Sequence, residues 1–227
     1  MSNVEFRLKN LQIGHGDHTV AGPWNFKVSS GGLNVMRGPN GCGKSTFARK
    51  LQRLIPSISG TIDWNITPHC RWVPQQLPLT EDYPVSVRDI VELGLWETPD
   101  SGSPLWGLRP RLTGNKSMKN TVSGMLERVG LGGMENRRFA RLSGGEQRRA
   151  LIARSLISDS NCIVLDEPMN GVDQEGKGSL GKLITTLAEN SEALFLVITH
   201  DSSWIPAKPR CYLDISATGS VTLEITT

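Results

Sequence analysis

At 227 residues, 37% hydrophobic and 21% charged, the chain is long enough for a sizeable core and amounts to about one and a half domains of ~150 residues. That composition, with 24 Gly and 13 Pro, excludes a disordered, collagen-like or coiled-coil chain. A net charge of +3 makes no case for nucleic acid as a partner.

The N-terminal residues read as β structure. Val4, Phe6 and Leu8 alternate with Glu5, Arg7 and Lys9, the period of a half-buried antiparallel strand. The start, Met1-Ser2-Asn3-Val4-Glu5, lacks the basic-then-apolar order of a secretory signal. A second strand is predicted from Trp24 to Val28, then a turn at Ser29-Ser30-Gly31-Gly32 and a short apolar strand from Leu33 to Met36. Helical patterns run over Thr46–Leu54, Ser86–Leu95, Thr121–Val129, Glu146–Ile157 and Gly178–Ala188.

Among these, Ile163-Val164-Leu165 and Ala193 to Ile198 are uninterrupted apolar runs. They fit parallel strands covered on both faces, although a buried helix segment has a similar pattern. None reaches the roughly 18 apolar residues of a membrane helix. The chain is therefore expected in the cytoplasm, or on a membrane through a partner. Strands alternating with helices predict an α/β fold. Beyond His200, Pro206 and Pro209 interrupt any further helix, which predicts no appended regulatory domain. Cys42, Cys70, Cys162 and Cys211 show no CxxC or metal-ligand spacing and are expected as free thiols in a reducing compartment.

One stretch departs in composition. Residues 101–126 hold no acid, while Arg109, Arg111, Lys116 and Lys119 are basic. It reads as a solvated loop in a helical subdomain, or as a contact surface for a partner or for anionic headgroups.

The chemistry concentrates in a few segments. Gly38-Pro39-Asn40-Gly41-Cys42-Gly43-Lys44-Ser45 matches the phosphate loop GxxxxGK[ST], between an apolar strand and a helical pattern that begins at Thr46. Its glycines let backbone N–H groups turn inward around phosphate oxygens. Lys44 is placed to reach the β- and γ-phosphates, and Ser45 to put its hydroxyl on Mg2+. Further on, Cys162 to Pro168 is an apolar strand ending in Asp166 and Glu167. Ligands of parallel sheets bind at the carboxyl ends of strands. Asp166 is a candidate for Mg2+ or its water, and Glu167 for orienting or deprotonating an attacking water.

Leu142-Ser143-Gly144-Gly145-Glu146-Gln147-Arg148-Arg149 contains an S-x-x-E capping box at Ser143 and Glu146, which alone would explain a helix start. Gly144 and Gly145, taken as lying ahead of that helix, would leave its N-terminus open to an anion.

Here the chain resembles the nucleotide-binding subunits of ATP-binding cassette (ABC) proteins, whose signature is LSGGQ. Glu146 stands where the family more often has Gln, a variant also familiar in it. Further segments resemble the family in its own order. Trp72-Val73-Pro74-Gln75 looks like the Q-loop, with Gln75 contacting Mg2+ and the attacking water, and Gln76 an adjacent rival. Asn170-Gly171-Val172-Asp173 resembles the D-loop, with Asp173 crossing a dimer interface. Ile198-Thr199-His200-Asp201 resembles the switch segment, with His200 bonding the γ-phosphate. One position departs: His15 stands where the family stacks an aromatic residue, usually Tyr, on adenine.

The resemblance implies a P-loop NTPase core with a mainly parallel sheet, an N-terminal antiparallel β-subdomain and an inserted helical subdomain. It implies one ABC ATPase domain over 1–227. Residues of about 1–75 and 160–227 would form the core, and about 76–159 the helical subdomain with the signature. It also implies ATP and Mg2+, and a homodimer or pseudo-symmetric dimer in which the Ser143–Gly145 segment of one copy faces the phosphate loop of the other. An integral membrane permease would hold the subunit on the inner face of the cell membrane, and a substrate-binding protein is a further candidate partner. Tyr83 to Gly94 looks like the permease-docking region of metal-ion and metal-chelate importers. The alternatives are a soluble assembly-factor ATPase of the iron–sulfur type, or an exporter subunit. Between Lys44 and Leu142 no sustained heptads occur, which argues against a DNA-repair or chromosome-organising ATPase.

Overall fold

The computed structural model describes residues 3–16, 18–52, 54–75, 84–97, 109–110, 118–158, 160–205 and 208–226. The chain opens with β1 (Glu5–His15), β2 (His18–Trp24), β3 (Lys27–Ser29), β4 (Leu33–Arg37) and α1 (Lys44–Leu51). There follow β5 (Ser59–Trp64), β6 (Cys70–Val73), α2 (Val87–Glu92), β7 (Trp96–Glu97), β8 (Arg109–Pro110), α3 (Met118–Arg128) and α4 (Gly144–Leu156). It ends with β9 (Cys162–Asp166), α5 (Gln174–Glu189), β10 (Leu194–Ile198), β11 (Cys211–Ile215) and β12 (Val221–Ile225).

Two compact units emerge. The first comprises Met1–Gln75, Asn161–Pro168 and Gly181–Thr227; the second comprises Gln76–Ser160 and Met169–Leu180. The first holds an antiparallel sheet in which β1 pairs with β2, β3 and β5. The period-2 pattern accounts for it: Phe6 and Leu8 are buried while Arg7 and Lys9 are exposed.

The single strand predicted from Trp24 to Val28 is broken. β2 pairs with the end of β1 and β3 with its start. The break has a local cause. Asn10 adopts a left-handed backbone (φ 48), and its N–H donates to Asn25 Oδ1 at 2.9 Å, so the pairing changes partner there.

The second sheet of this unit runs β12-β11-β4-β10-β9-β6, parallel throughout except for the β11–β12 pair. Every residue of β9 and β10 is buried, which is why both read as unbroken apolar runs. Phe47 of α1 is fully buried against Phe6, Trp24 and Phe26, with ring centroids at 6.1, 5.3 and 6.3 Å. Rings at such spacings attract beyond their area burial, and here they anchor the helix that follows the phosphate loop. All four cysteines are free. Burial pushes the Cys211 thiol up to about 11.

The second unit is built from helices. Val87, Ile90, Val122, Leu126, Phe139, Ala150 and Ile152 are buried in it. Two of its helices begin at reciprocal caps, Ser86 with Asp89 and Ser143 with Glu146. Such boxes satisfy two backbone donors at a helix start. Among the described residues, no helix is long and apolar enough to cross a membrane.

Candidate active site

Four adjacent parallel strands, β4, β10, β9 and β6, deliver the candidate residues at their carboxyl ends. β4 leads into Gly38–Gly43 and α1, β10 into Thr199 and His200, β9 ends at Asp166 before Glu167, and β6 leads to Gln75. That sheet edge is where α/β proteins bind ligands.

The phosphate loop needs its glycines. Gly38 (φ 155) would place a Cβ 2.5 Å from the Ile215 carbonyl oxygen, and Gly43 (φ 99) would place one 2.8 Å from Ala21 Cβ. Gly41 is also left-handed, at φ 82. Pro39, Asn40, Gly41 and Ser45 are exposed at the rim, whereas Cys42 is buried and Thr46 half-buried. Lys44, only 7% exposed, donates from Nζ to the carbonyls of Gly38 at 2.8 Å and Pro39 at 2.7 Å. Its ammonium is thus held against the loop by neutral carbonyl oxygens.

Asp166 is buried, and burial raises its carboxyl above the ordinary range, with Glu167 adding to the rise. The Ser45 hydroxyl, Lys44 and the Trp72 indole pull the other way. A hydroxyl beside a carboxylate whose charge is costly is a hard-oxygen donor set, and it fits Mg2+.

Glu167 follows with a left-handed backbone, φ 46. Such backbone strain in a non-glycine residue collects at functional sites. Its N–H donates to Ile198 O at 2.8 Å, tying the turn to β10. Its Oε1 accepts from the His200 N–H at 3.1 Å and faces His200 Nδ1 at 2.7 Å. Its Oε2 accepts from Thr199 Oγ1 at 3.2 Å. The carboxylate is therefore fixed by two residues of the segment after β10.

In the second unit, Ser143 caps α4. Its Oγ accepts from Glu146 N at 3.3 Å, and Glu146 Oε2 accepts from Ser143 N at 2.8 Å. The latter bond holds the Glu146 carboxyl below its usual range. Gly144 and Gly145 therefore lie inside the first turn of α4. The expectation that they precede it is corrected by the cap, which starts the helix at Gly144. A Cβ on Gly144 would stand 2.0 Å from Gly171 O, so the loop at 169–173 fills that flank. Asp173 caps the next helix, with Oδ1 accepting from Gly176 N at 2.7 Å.

Gly144→Ala is accordingly expected to destabilise the protein by about 1–3 kcal/mol, the range for overpacking. A thermal melt reads it; an unchanged midpoint would mean that the 169–173 loop yields without cost.

The first unit thus brings together Lys44, Ser45, Asp166, Glu167 and His200, and the second places Ser143 to Gly145 beside Gly171. Gln75 is exposed at the end of β6. The His15 backbone closes the β1–β2 hairpin opposite His18; its side chain lies outside the described residues, as do residues 76–83, which include Gln76 and the first residue of the expected docking region, Tyr83. The basic stretch also lies outside them, apart from the backbone of Arg109, Pro110 and the start of α3. Two contributors were missed from sequence. Thr199 stands in sequence only as part of the segment around His200, and Trp72 only as a flank of Gln75; neither contact has a local sequence signal.

A phosphate loop opening on such a sheet edge, with two carboxylates at the end of β9, one strand removed from β4, defines a P-loop NTPase. The model of the ABC transporter family matches residues 22–170. The zinc transport system ATP-binding protein TroB of Treponema pallidum is 31% identical over 201 residues, covering 86% of this chain and 72% of that protein. The zinc import ATP-binding protein ZnuC of Paracoccus denitrificans is 32% identical over 193 residues, covering 85% and 68%. Among solved structures, a nucleotide-free ATP-binding cassette from an ABC transporter has the same fold, with TM-score 0.81, 19% identity and coverage of 99% and 92%. The chain belongs to the ABC transporter family, as an ATP-binding subunit of the ATPase type.

Proposed function

We propose that this subunit hydrolyses ATP with Mg2+ in a head-to-tail dimer and thereby drives a membrane permease that imports zinc or another metal ion or metal chelate. The observation that carries the dimer is the presence of two phosphate-receptive segments in one chain. Gly38–Ser45 opens α1 and Ser143–Gly145 opens α4, and helix N-termini favour anions. One chain binds one γ-phosphate, so a second copy gives each nucleotide both segments. The metal cargo is supported by the names of the relatives at 31% and 32% identity.

In this reading Gly38 to Thr46 cradle the phosphates and Lys44 leaves its carbonyl partners to meet them. Ser45, Asp166 and Gln75 hold Mg2+, which when bound neutralises charge on the β- and γ-phosphates. Glu167 takes the proton of the attacking water, and Thr199 and His200 hold its carboxylate still. With Nδ1 turned to Glu167, His200 meets the γ-phosphate through Nε2. Asp173 faces the partner copy, and His15 stacks on the base. The antiparallel sheet belongs with the nucleotide core, and residues of about 76–159 form the helical subdomain that docks on the permease.

The test is dilution. Specific ATPase activity should rise with protein concentration, or appear only with the permease present. Activity unchanged on dilution into the monomeric range would sink the dimer. Zinc uptake by vesicles carrying subunit and permease, lost on omitting either, tests the cargo.

A further inference from the structure

β4 ends at Arg37, the residue before the phosphate loop, and β11 runs parallel beside it with Asp214 opposite Arg37. The two side chains meet as a fork. Arg37 Nε donates to Asp214 Oδ1 at 2.6 Å, and its Nη2 donates to Oδ2 at 2.8 Å. Tyr212 lies two residues back on the same face of β11, and the Arg37 guanidinium carbon stands 3.9 Å from its ring centroid. Exposed ion pairs usually contribute little, and these side chains are 32% and 42% exposed; ideal bidentate geometry is the exception. Here the fork is bidentate, and an aromatic ring that attracts cations holds the guanidinium from another side.

What the fork holds is the start of the loop. One residue on, Gly38 packs so closely on β11 that a Cβ would stand 2.5 Å from Ile215 O. The Gly38 carbonyl in turn carries Lys44 Nζ at 2.8 Å. The far end of β11 is tied to the core. Beyond it, Gly219 O accepts from the Gly22 N–H at 3.2 Å and from the indole N–H of the fully buried Trp24 at 2.6 Å. Arg37 therefore joins the residue before the loop to an anchored strand.

We infer that Arg37 is a positioning residue for the phosphate loop: by clamping the end of β4 to Asp214 and Tyr212, it fixes the point at which Gly38 turns and the loop's N–H groups converge. The inference rests on the reading that Gly38–Ser45 holds phosphates. The guanidinium is committed to Asp214, so it acts through the backbone and does not itself meet the phosphates. Convergent N–H groups make an anion site only while their backbone keeps its shape, and a loop already held in that shape has less freedom to lose on binding.

The experiment titrates ATP and inorganic tripolyphosphate, which presents phosphates without a base, into wild type, Arg37→Lys, Asp214→Asn and the double variant. Each substitution breaks the fork and keeps charge or size. Kd for both probes should rise by the same factor, about tenfold, equivalent to ~1.4 kcal/mol. The double variant should lose no more than either single one, since one fork is broken in all three. A second readout is the Arg37 Nε–H signal of 15N-labelled protein, identified by its absence from Arg37→Lys. In wild type it should shift when tripolyphosphate fills the loop, and it decides the matter even if a variant fails to fold.

Unchanged tripolyphosphate affinity in the single variants overturns the inference, as does a wild-type Arg37 signal that ignores tripolyphosphate. Losses that multiply in the double variant overturn it too, because the two residues would then act separately. A wild type that takes up neither probe overturns the phosphate-loop reading itself.

Discussion

Glu167→Gln is expected to lower ATP turnover by a hundredfold or more while leaving nucleotide binding intact. General-base catalysis contributes about 10²–10⁴ in rate, and the substitution removes the base without changing its size. The geometry sharpens the expectation. One carboxylate oxygen accepts from the His200 N–H and the other from Thr199 Oγ1, and a Gln oxygen can replace only one of these acceptors. The variant should therefore bind ATP, hold a dimer because hydrolysis no longer releases it, and elute earlier in size exclusion with ATP than without. Wild-type turnover would assign the base elsewhere, with His200 the next candidate.

Lys44→Ala should weaken nucleotide binding roughly a hundredfold and lower turnover with it. The ammonium rests on Gly38 and Pro39 carbonyls, and its exchange of those neutral acceptors for phosphate oxygens is favourable because the new acceptors carry a negative charge of their own. Two such contacts at ~1.5 kcal/mol each correspond to roughly a hundredfold in affinity, at 1.4 kcal/mol per tenfold. Equilibrium dialysis with labelled ATP measures it. A loss smaller than about threefold would mean that the loop backbone carries the phosphates without the lysine.

What could be read from the sequence follows physical distance along the chain. The phosphate loop was legible because its backbone turns demand glycine at fixed offsets; Gly38, Gly41 and Gly43 all have positive φ. β9 and β10 were legible because burial on both faces leaves an unbroken apolar run. β5 and β6 were not, since β5 is exposed over its first three residues with only Ile62 and Trp64 half-buried, and β6 carries Arg71. Helix starts were placed late at Thr46, Glu146 and Gly178, since apolar periodicity begins after the cap. After caps at Gly43, Ser143 and Asp173, those helices begin two to four residues earlier, at Lys44, Gly144 and Gln174. Glu167 and His200 were both singled out, yet their contact spans 33 positions and has no sequence signature.

The ring cluster around Phe47 has a consequence for how the first unit responds to its nucleotide. To tilt α1, the chain would have to withdraw a fully buried phenyl ring from Phe6, Trp24 and Phe26, opening a void that a close-packed interior resists. The helix that begins at Lys44 is therefore a fixed anvil. Under the proposed function, adjustment on binding and release within this unit would fall to side chains at the sheet edge: Lys44 leaving its carbonyl rests, and Glu167 and His200 shifting against each other. Small displacements there, made against an unyielding seat, would pass outward instead of being absorbed beneath the nucleotide.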